Sequence, residues 1–352
     1  MQNKKTLIEM LAAARPEATM LELNAWASAL CQLEGCHVHS LAAQDTDDAG
    51  WHAARTKGIG GSEIAAICGK SSWSSPTDIY MKKIPQFESE SQQAPQSEAA
   101  RWGNVLEDVI IKEWAHRTNR IYLHIPVSLQ SDENPIFIAN VDGFELDEDG
   151  NVIGLIECKT TTLHNINAWS EGEVPIYYIY QIQWYMMITG LKSTVIMCLV
   201  GGQKLFNYDF PAMPSIMSEE KEAAINFWNN CVIPQIPPAL TDVDTDRLQA
   251  EKAEQTMSAP PIITEDEDSI GLLEEYLEAR EKESECKKIK KALQAKIYDL
   301  LGSSNEMLAG ERHVKCTTTT RRTCNMDMLE SKYPEVFKEV VSYNTSVTMR
   351  IK

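Results

Sequence analysis

Two short segments, Asn140-Val-Asp-Gly143 and Ile156-Glu-Cys-Lys159, bring two carboxylates and an ammonium onto neighbouring apolar runs. Asp142 ends one run beside a glycine that lets the backbone bend. Across the turn residues Asp147-Glu-Asp-Gly150, a second run, Ile153-Gly-Leu-Ile156, delivers Glu157 and then Lys159. As strands, their period-two alternation puts Glu157 and Lys159 on one face and turns Cys158 toward the core. Hairpin pairing then sets Asp142 beside that face. Such a set suits hydrolysis of a phosphodiester. Carboxylates hold Mg²⁺, a hard ion that keeps open positions for water and phosphate oxygens. One or two ions, with Mn²⁺ an acceptable substitute, polarise the phosphate and lower the pKa of a bound water. Lys159 would orient or deprotonate that water and offset developing charge. The backbone carbonyl of Cys158 is a further candidate ligand. The same residues also serve as ordinary turn chemistry on a solvated sheet face, and by themselves they leave both readings open.

The elements that must position this set are legible from hydrophobic spacing. Strands are expected over 121–129, 136–146, 152–158 and 194–200, the last a final β-branched strand, with the Asp147–Gly150 turn closing a hairpin. Helices are expected over 62–68, opened by Gly58-Ile-Gly-Gly61, and over 177–189. A third, over 101–118, carries Val105, Leu106, Val109, Ile110 and Trp114 as its buried stripe. Residues 85–97, rich in Gln, Ser and Glu, read as a loop. The domain plan is an N-terminal helical extension over 1–50, a core over 51–238, an acidic proline-containing linker over 239–268, and a C-terminal extension over 269–352. That extension opens with a charged helix over 269–301, whose apolar face holds Leu272, Leu273, Leu277, Ile289, Leu293 and Ile297. A β-ribbon near 313–323, a short helix near 333–341 and a last strand to Lys352 complete it.

With 352 residues the chain can bury a substantial core. No apolar run approaches the roughly 20 residues of a membrane span, and Glu9 and Arg15-Pro16-Glu17 break the N-terminal apolar stretch, so neither a membrane protein nor a cleaved leader is expected. Nine scattered cysteines point to a reducing cytoplasm rather than a disulfide framework. The formal net charge of −18 argues against coating nucleic acid by bulk attraction. Any DNA contact then needs a local basic lining, or metal ions that offset carboxylate charge.

Four further segments surround the Asp/Glu/Lys set in order: Trp51-His-x-x-Arg55, Gly58-Ile-Gly-Gly-Ser62-Glu63, Trp102-Gly-Asn-x-x-Glu107 and Tyr178-x-x-Gln181-x-Gln183-x-Tyr185-Met186. Together, over roughly residues 51–200, they resemble the YqaJ-type viral recombinase family, the group of lambda exonuclease, within the PD-(D/E)XK nuclease superfamily. The resemblance implies an α/β fold with a mixed sheet and a three-layer nuclease core, here with helical and helix-plus-ribbon extensions. It implies Mg²⁺-dependent 5′-to-3′ degradation of one strand of duplex DNA from its end, by a trimeric ring working with a single-strand annealing protein in phage recombination. Position by position, Asp142 and Glu157 match the metal-binding carboxylates, Lys159 the catalytic lysine, and Glu107 the helix carboxylate facing the metals. Gln181 matches the glutamine that closes the site. Arg55 and Ser62 match the pair holding the terminal 5′-phosphate. A serine at a helix start beside a Gly-rich turn and a forked guanidinium are natural phosphate partners.

Other patterns are set aside. Cys31, Cys36, His37 and His39 match no common zinc spacing. Cys316 and Cys324 make no iron–sulfur set, and Gly201-Gly202 opens no P-loop. Trp102, Trp114, Tyr177 and Trp184 read as core rather than base-stacking residues. Two competing functions use the same residues: an endonuclease on this core, or an inactive scaffold that recruits an annealing partner through its C-terminal block.

Overall fold

The alternating runs around Asp142 and Glu157 form a hairpin at the centre of a seven-stranded mixed sheet. The computed structural model describes residues 3–40, 57–84, 97–170, 172–254, 262–320 and 324–342. They divide into two units, Met1–Thr245 and Asp246–Lys352. The first holds α1 (Lys4–Ala14), α2 (Met20–Leu30), β1 (Cys36–Ser40), β2 (Ile59–Gly60), α3 (Gly61–Ile67), α4 (Pro76–Lys83), α5 (Glu98–Thr118), β3 (Ile121–Ser131), β4 (Phe137–Leu146) and β5 (Val152–Thr161). A 3₁₀ turn (Leu163–Trp169), α6 (Ile176–Thr189), β6 (Ser193–Val200), β7 (Lys204–Pro211) and α7 (Pro214–Phe227) complete it. The strand order is β1-β3-β4-β5-β6-β7, with β2 pairing β4 in parallel. β5 and β6 are also parallel, and the other neighbours are antiparallel.

Alternation on the strands sorts the core into layers on either face of the sheet. Ile156 on β5 and Val195 and Met197 on β6 pack against Ile110, Ile111 and Trp114 of α5. Ile196, Cys198 and Val200 face the other way, against Ile182 of α6 and Trp169. Fully burying side chains such as Trp114, Trp169 and Trp184 removes about 150–250 Å² of each from water, so these rings anchor the layers. The arrangement is the three-layer α/β/α plan expected of the nuclease core.

Several elements differ from the sequence expectation. The N-terminal helices form no appendage: Leu7, Leu11, Leu23 and Leu30 enter the main core, and β1 pairs with β3. Helix α5 turns its stripe by part of a turn, leaving Val105 and Val109 more than half exposed while Ile111 is buried. β6 is not the last strand, because β7 pairs along its whole length. Half-exposed residues on β7 hid it, since an edge strand with a solvated face lacks a strong apolar signal.

The second unit carries α9 (Glu267–Leu301), introduced by α8 (Asp244–Glu254), which starts one residue pair before the unit boundary. A hairpin follows, β8 (Glu306–Ala309) with β9 (Arg312–Lys315), then α10 (Met326–Lys332) and α11 (Pro334–Val340). The ribbon thus starts ahead of the expected 313–323 segment and overlaps it only at 313–315, and a helix occupies part of the expected linker. The expected loop at 85–97, apart from Ser97, and the last strand to Lys352, from 343 on, lie outside the described residues. No described helix is long and apolar enough to cross a membrane.

Candidate active site

The β4–β5 ladder pairs Gly143 with Ile156 and stops there. One residue on, side chain replaces backbone: Asp142 Oδ2 accepts the N–H of Cys158 at 2.8 Å. Glycine at 143 is required by packing, because a Cβ would meet the carbonyl oxygen of Leu123 at 2.7 Å. On β5, Glu157 Oε1 takes a short ion pair from Lys159 Nζ, as two residues on the same strand face allow. Gln181 of α6 donates from Nε2 to the same Glu157 oxygen at 2.7 Å and to the Tyr185 hydroxyl at 2.9 Å. Cys158 packs toward α5, as alternation requires.

These side chains line one open cleft of about 420 Å³, which also takes in Ser62, Asn104, Glu107 and Asn140. Glu107 reaches it from α5, where its Oε1 lies 2.8 Å from His124 Nε2. Ser62 sits in the first turn of α3. Its helix is capped by Gly60, whose N–H donates to Glu63 Oε2 at 2.9 Å, and Lys83 binds both Glu63 oxygens at 2.7 and 2.8 Å. Gly61 must be glycine, since an added Cβ would sit 2.3 Å from the Tyr185 ring. Arg55 lies outside the described residues. Of the residues singled out in sequence, Asp142, Glu157, Cys158, Lys159, Glu107, Gln181 and Ser62 therefore share one cleft. Sequence reasoning missed His124, Asn140 and the cleft role of Tyr185. Tyr185 stood within the α6 motif, whereas His124 had no signal of its own.

The electrostatics are those of charge held out of water. Burial raises the Asp142 carboxyl well above its ordinary range, and the charges of Glu157 and Glu107 add to it, against Lys159 and the Cys158 N–H. Glu157 is raised too, chiefly by burial, with Lys159 opposing. Burial disfavours the Lys159 charge, yet Glu157 and Asp142 outweigh it and keep the ammonium protonated. Among the described residues no three His, Cys, Asp or Glu side chains converge closely enough to hold an ion unaided. The donor set nevertheless fits a hard divalent cation completed by water and substrate oxygens: Glu157 Oε2 is buried and has no hydrogen-bond partner, beside Asp142 in the cleft.

Cys36 packs into the core and burial raises its thiol to about 12, while His37 Nδ1 lies 2.6 Å from Asp132 Oδ1.

The chain is 28% identical over 300 residues to the uncharacterized YqaJ protein of Bacillus subtilis (strain 168), covering 82% of this chain and 89% of that protein. Among solved structures, the alkaline exonuclease LHK-Exo from Laribacter hongkongensis is 19% identical with a TM-score of 0.45, over 58% of this chain and 99% of that one. A phage-related exonuclease from Haemophilus somnus 129PT is 13% identical with a TM-score of 0.33, over 51% and 96%. Residues 50–192 match the YqaJ-like viral recombinase domain, which spans β2 through α6 and every cleft residue named above. Over that segment the chain is similar to the YqaJ-like viral recombinase domain, and Asp142, Glu157 and Lys159 lie within the matched residues.

Proposed function

We propose that the cleft hydrolyses phosphodiester bonds at the ends of linear double-stranded DNA, shortening one strand in the 5′-to-3′ direction. The observation that supports it is the meeting of Asp142, Glu157 and Lys159 with Glu107 and Gln181 in one open cleft. Asp142, Glu157, Glu107 and the Cys158 carbonyl would hold one or two Mg²⁺ ions, or Mn²⁺. Mg²⁺, when bound, supplies positive charge that polarises the scissile phosphate and acidifies the attacking water.

The protein's own groups do the positioning. Protonated Lys159 donates to a phosphate or water oxygen and offsets the charge that develops there. Gln181 fixes one Glu157 oxygen and leaves the other for the cation. Ser62, with Arg55 from the preceding segment, would hold the terminal 5′-phosphate and so set the polarity. Ions held there would offset the cleft's carboxylates and so let a chain of net charge −18 take DNA. By family resemblance the active form is a trimeric ring acting with a single-strand annealing protein. None of the nine cysteines is disulfide-bonded, which suits a cytoplasmic setting.

End-labelled linear duplex incubated with Mg²⁺ tests the reading. One strand should shorten from its 5′ end, faster when that end is phosphorylated, and circular duplex should survive. Nicking of the circle would assign an endonuclease instead, and intact linear DNA would leave the scaffold function. A sedimenting monomer that stays processive would contradict the ring.

A further inference from the structure

Lys159 stands at the inner end of a run of aromatic rings that reaches the surface. Its Nζ lies 5.0 Å from the centre of the Tyr178 ring. Tyr178 lies 4.3 Å from Tyr177, the two planes tilted by 58°. Tyr177 in turn lies 4.0 Å from Trp73, edge to face at 82°. Trp73 ends the run and is 59% exposed.

The rings come from elements that also build the cleft. Tyr177 and Tyr178 open α6, one turn before Gln181. Trp73 follows α3, the helix that carries Ser62, in a connection whose shape is held by side chain: Ser71 Oγ accepts the N–H groups of Trp73 and Ser74 at 3.4 and 3.2 Å. The indole is therefore presented at a set place rather than on a loose segment. An exposed tryptophan alone needs no explanation. This one differs because it is continuous, ring by ring, with the lysine of the cleft.

Exposed rings hold nucleobases by stacking, which accepts any base and needs no positive charge. That chemistry suits a chain whose net charge of −18 disfavours phosphate attraction. Away from a blunt end, where neighbouring pairs cover both faces of a base, stacking on a side chain requires that base to leave the duplex. We propose that Trp73, backed by Tyr177, is a base-stacking site for an unpaired DNA strand next to the Asp142–Lys159 cleft. The proposal rests on the nuclease reading and narrows its substrate: the strand is single where it passes Trp73. Tyr177 packs against the main core, as its sequence context assigned it, and from there would back the exposed indole.

The test is binding without turnover. Full-length protein in EDTA is titrated by fluorescence anisotropy against a labelled oligothymidylate of about twelve nucleotides and an abasic strand of equal length. Trp73→Ala and Trp73→Leu should weaken oligothymidylate binding about tenfold, while Trp73→Phe stays within about twofold of the parent. All four proteins should bind the abasic strand equally weakly. Parental affinity in Trp73→Leu would overturn the proposal, as would an abasic strand that binds the parent as tightly as oligothymidylate. Exposure of Trp73 predicts unchanged thermal midpoints, and the Leu/Phe comparison decides the matter even where Ala folds poorly. Failure of the nuclease reading is separate: it appears as intact linear duplex with Mg²⁺, which the EDTA titration does not involve.

Discussion

His124 and Glu107 join strand to helix at the cleft: His124 Nε2 lies 2.8 Å from Glu107 Oε1, and its Nδ1 lies 3.5 Å from Asp108 Oδ1. His124 is paired across the sheet with Gly143, the neighbour of Asp142. The β3–β4 register shifts just beyond it, between His124 and Val127. A carboxylate on one layer is thereby set against a carboxylate on another. Removing this hold should loosen the proposed cation site without touching DNA directly. His124→Ala is expected to weaken Mn²⁺ binding by about tenfold or more, measured by calorimetry on the DNA-free protein. His124→Gln should recover part of it. Equal affinity in all three proteins would show that Glu107 needs no such support.

Asp142 sets function against stability. Asparagine keeps an acceptor for the Cys158 N–H but never ionises, and ionisation is what burial and the Glu157 and Glu107 charges oppose. Asp142→Asn is expected to lower nucleotide release by at least about a hundredfold. In EDTA it should also raise the thermal midpoint. A lower midpoint would mean that the native site tolerates the buried charge.

Glu220 is a buried carboxyl on α7 with both oxygens unpartnered. Burial, with the Glu219 charge adding, raises it to about 9. The folded value lies above the ordinary 4.5, so its contribution is fully present only below the ordinary carboxylate range and is lost as pH rises toward about 9. Glu220→Gln should therefore melt higher than the parent at pH 8, by a margin that shrinks toward pH 5. Thermal melts across that range check the sign, and a margin independent of pH would refute it.

Lys83 and Glu63 form an ion pair beneath the turn that presents Ser62, with side-chain exposures of only 1% and 8%. Lys83→Met strands the Glu63 carboxylate and should cost about 3–5 kcal/mol in urea unfolding. Adding Glu63→Gln should return part of that loss. A single variant as stable as the parent would show the pair to be dispensable.

Much of the site was legible because its logic is local. Period-two alternation places Glu157 and Lys159 together whatever surrounds them, and a turn at Asp147–Gly150 forces the Asp142 strand alongside. The helices at α3, α5 and α6 announced themselves by spacing and by the Gly-rich turn. Elements with half-solvated or short strands did not: β1 and β7 are edges, so only one face of each needs apolar residues. Val105 and Val109 misled for the opposite reason, since apolar residues on a helix face do not say that anything covers them.

Residue order alone determined that two acids and an amine lie on adjacent strands, because pleat and hairpin geometry act over a few residues. Tertiary structure decided that Glu107, held by His124, lines the same cleft, that Gln181 joins Glu157 to Tyr185, and that Trp73 stands out from Tyr177. Those relations join residues far apart in the chain, and only the packing of helices on both faces of the sheet brings them within hydrogen-bond or ring-contact distance.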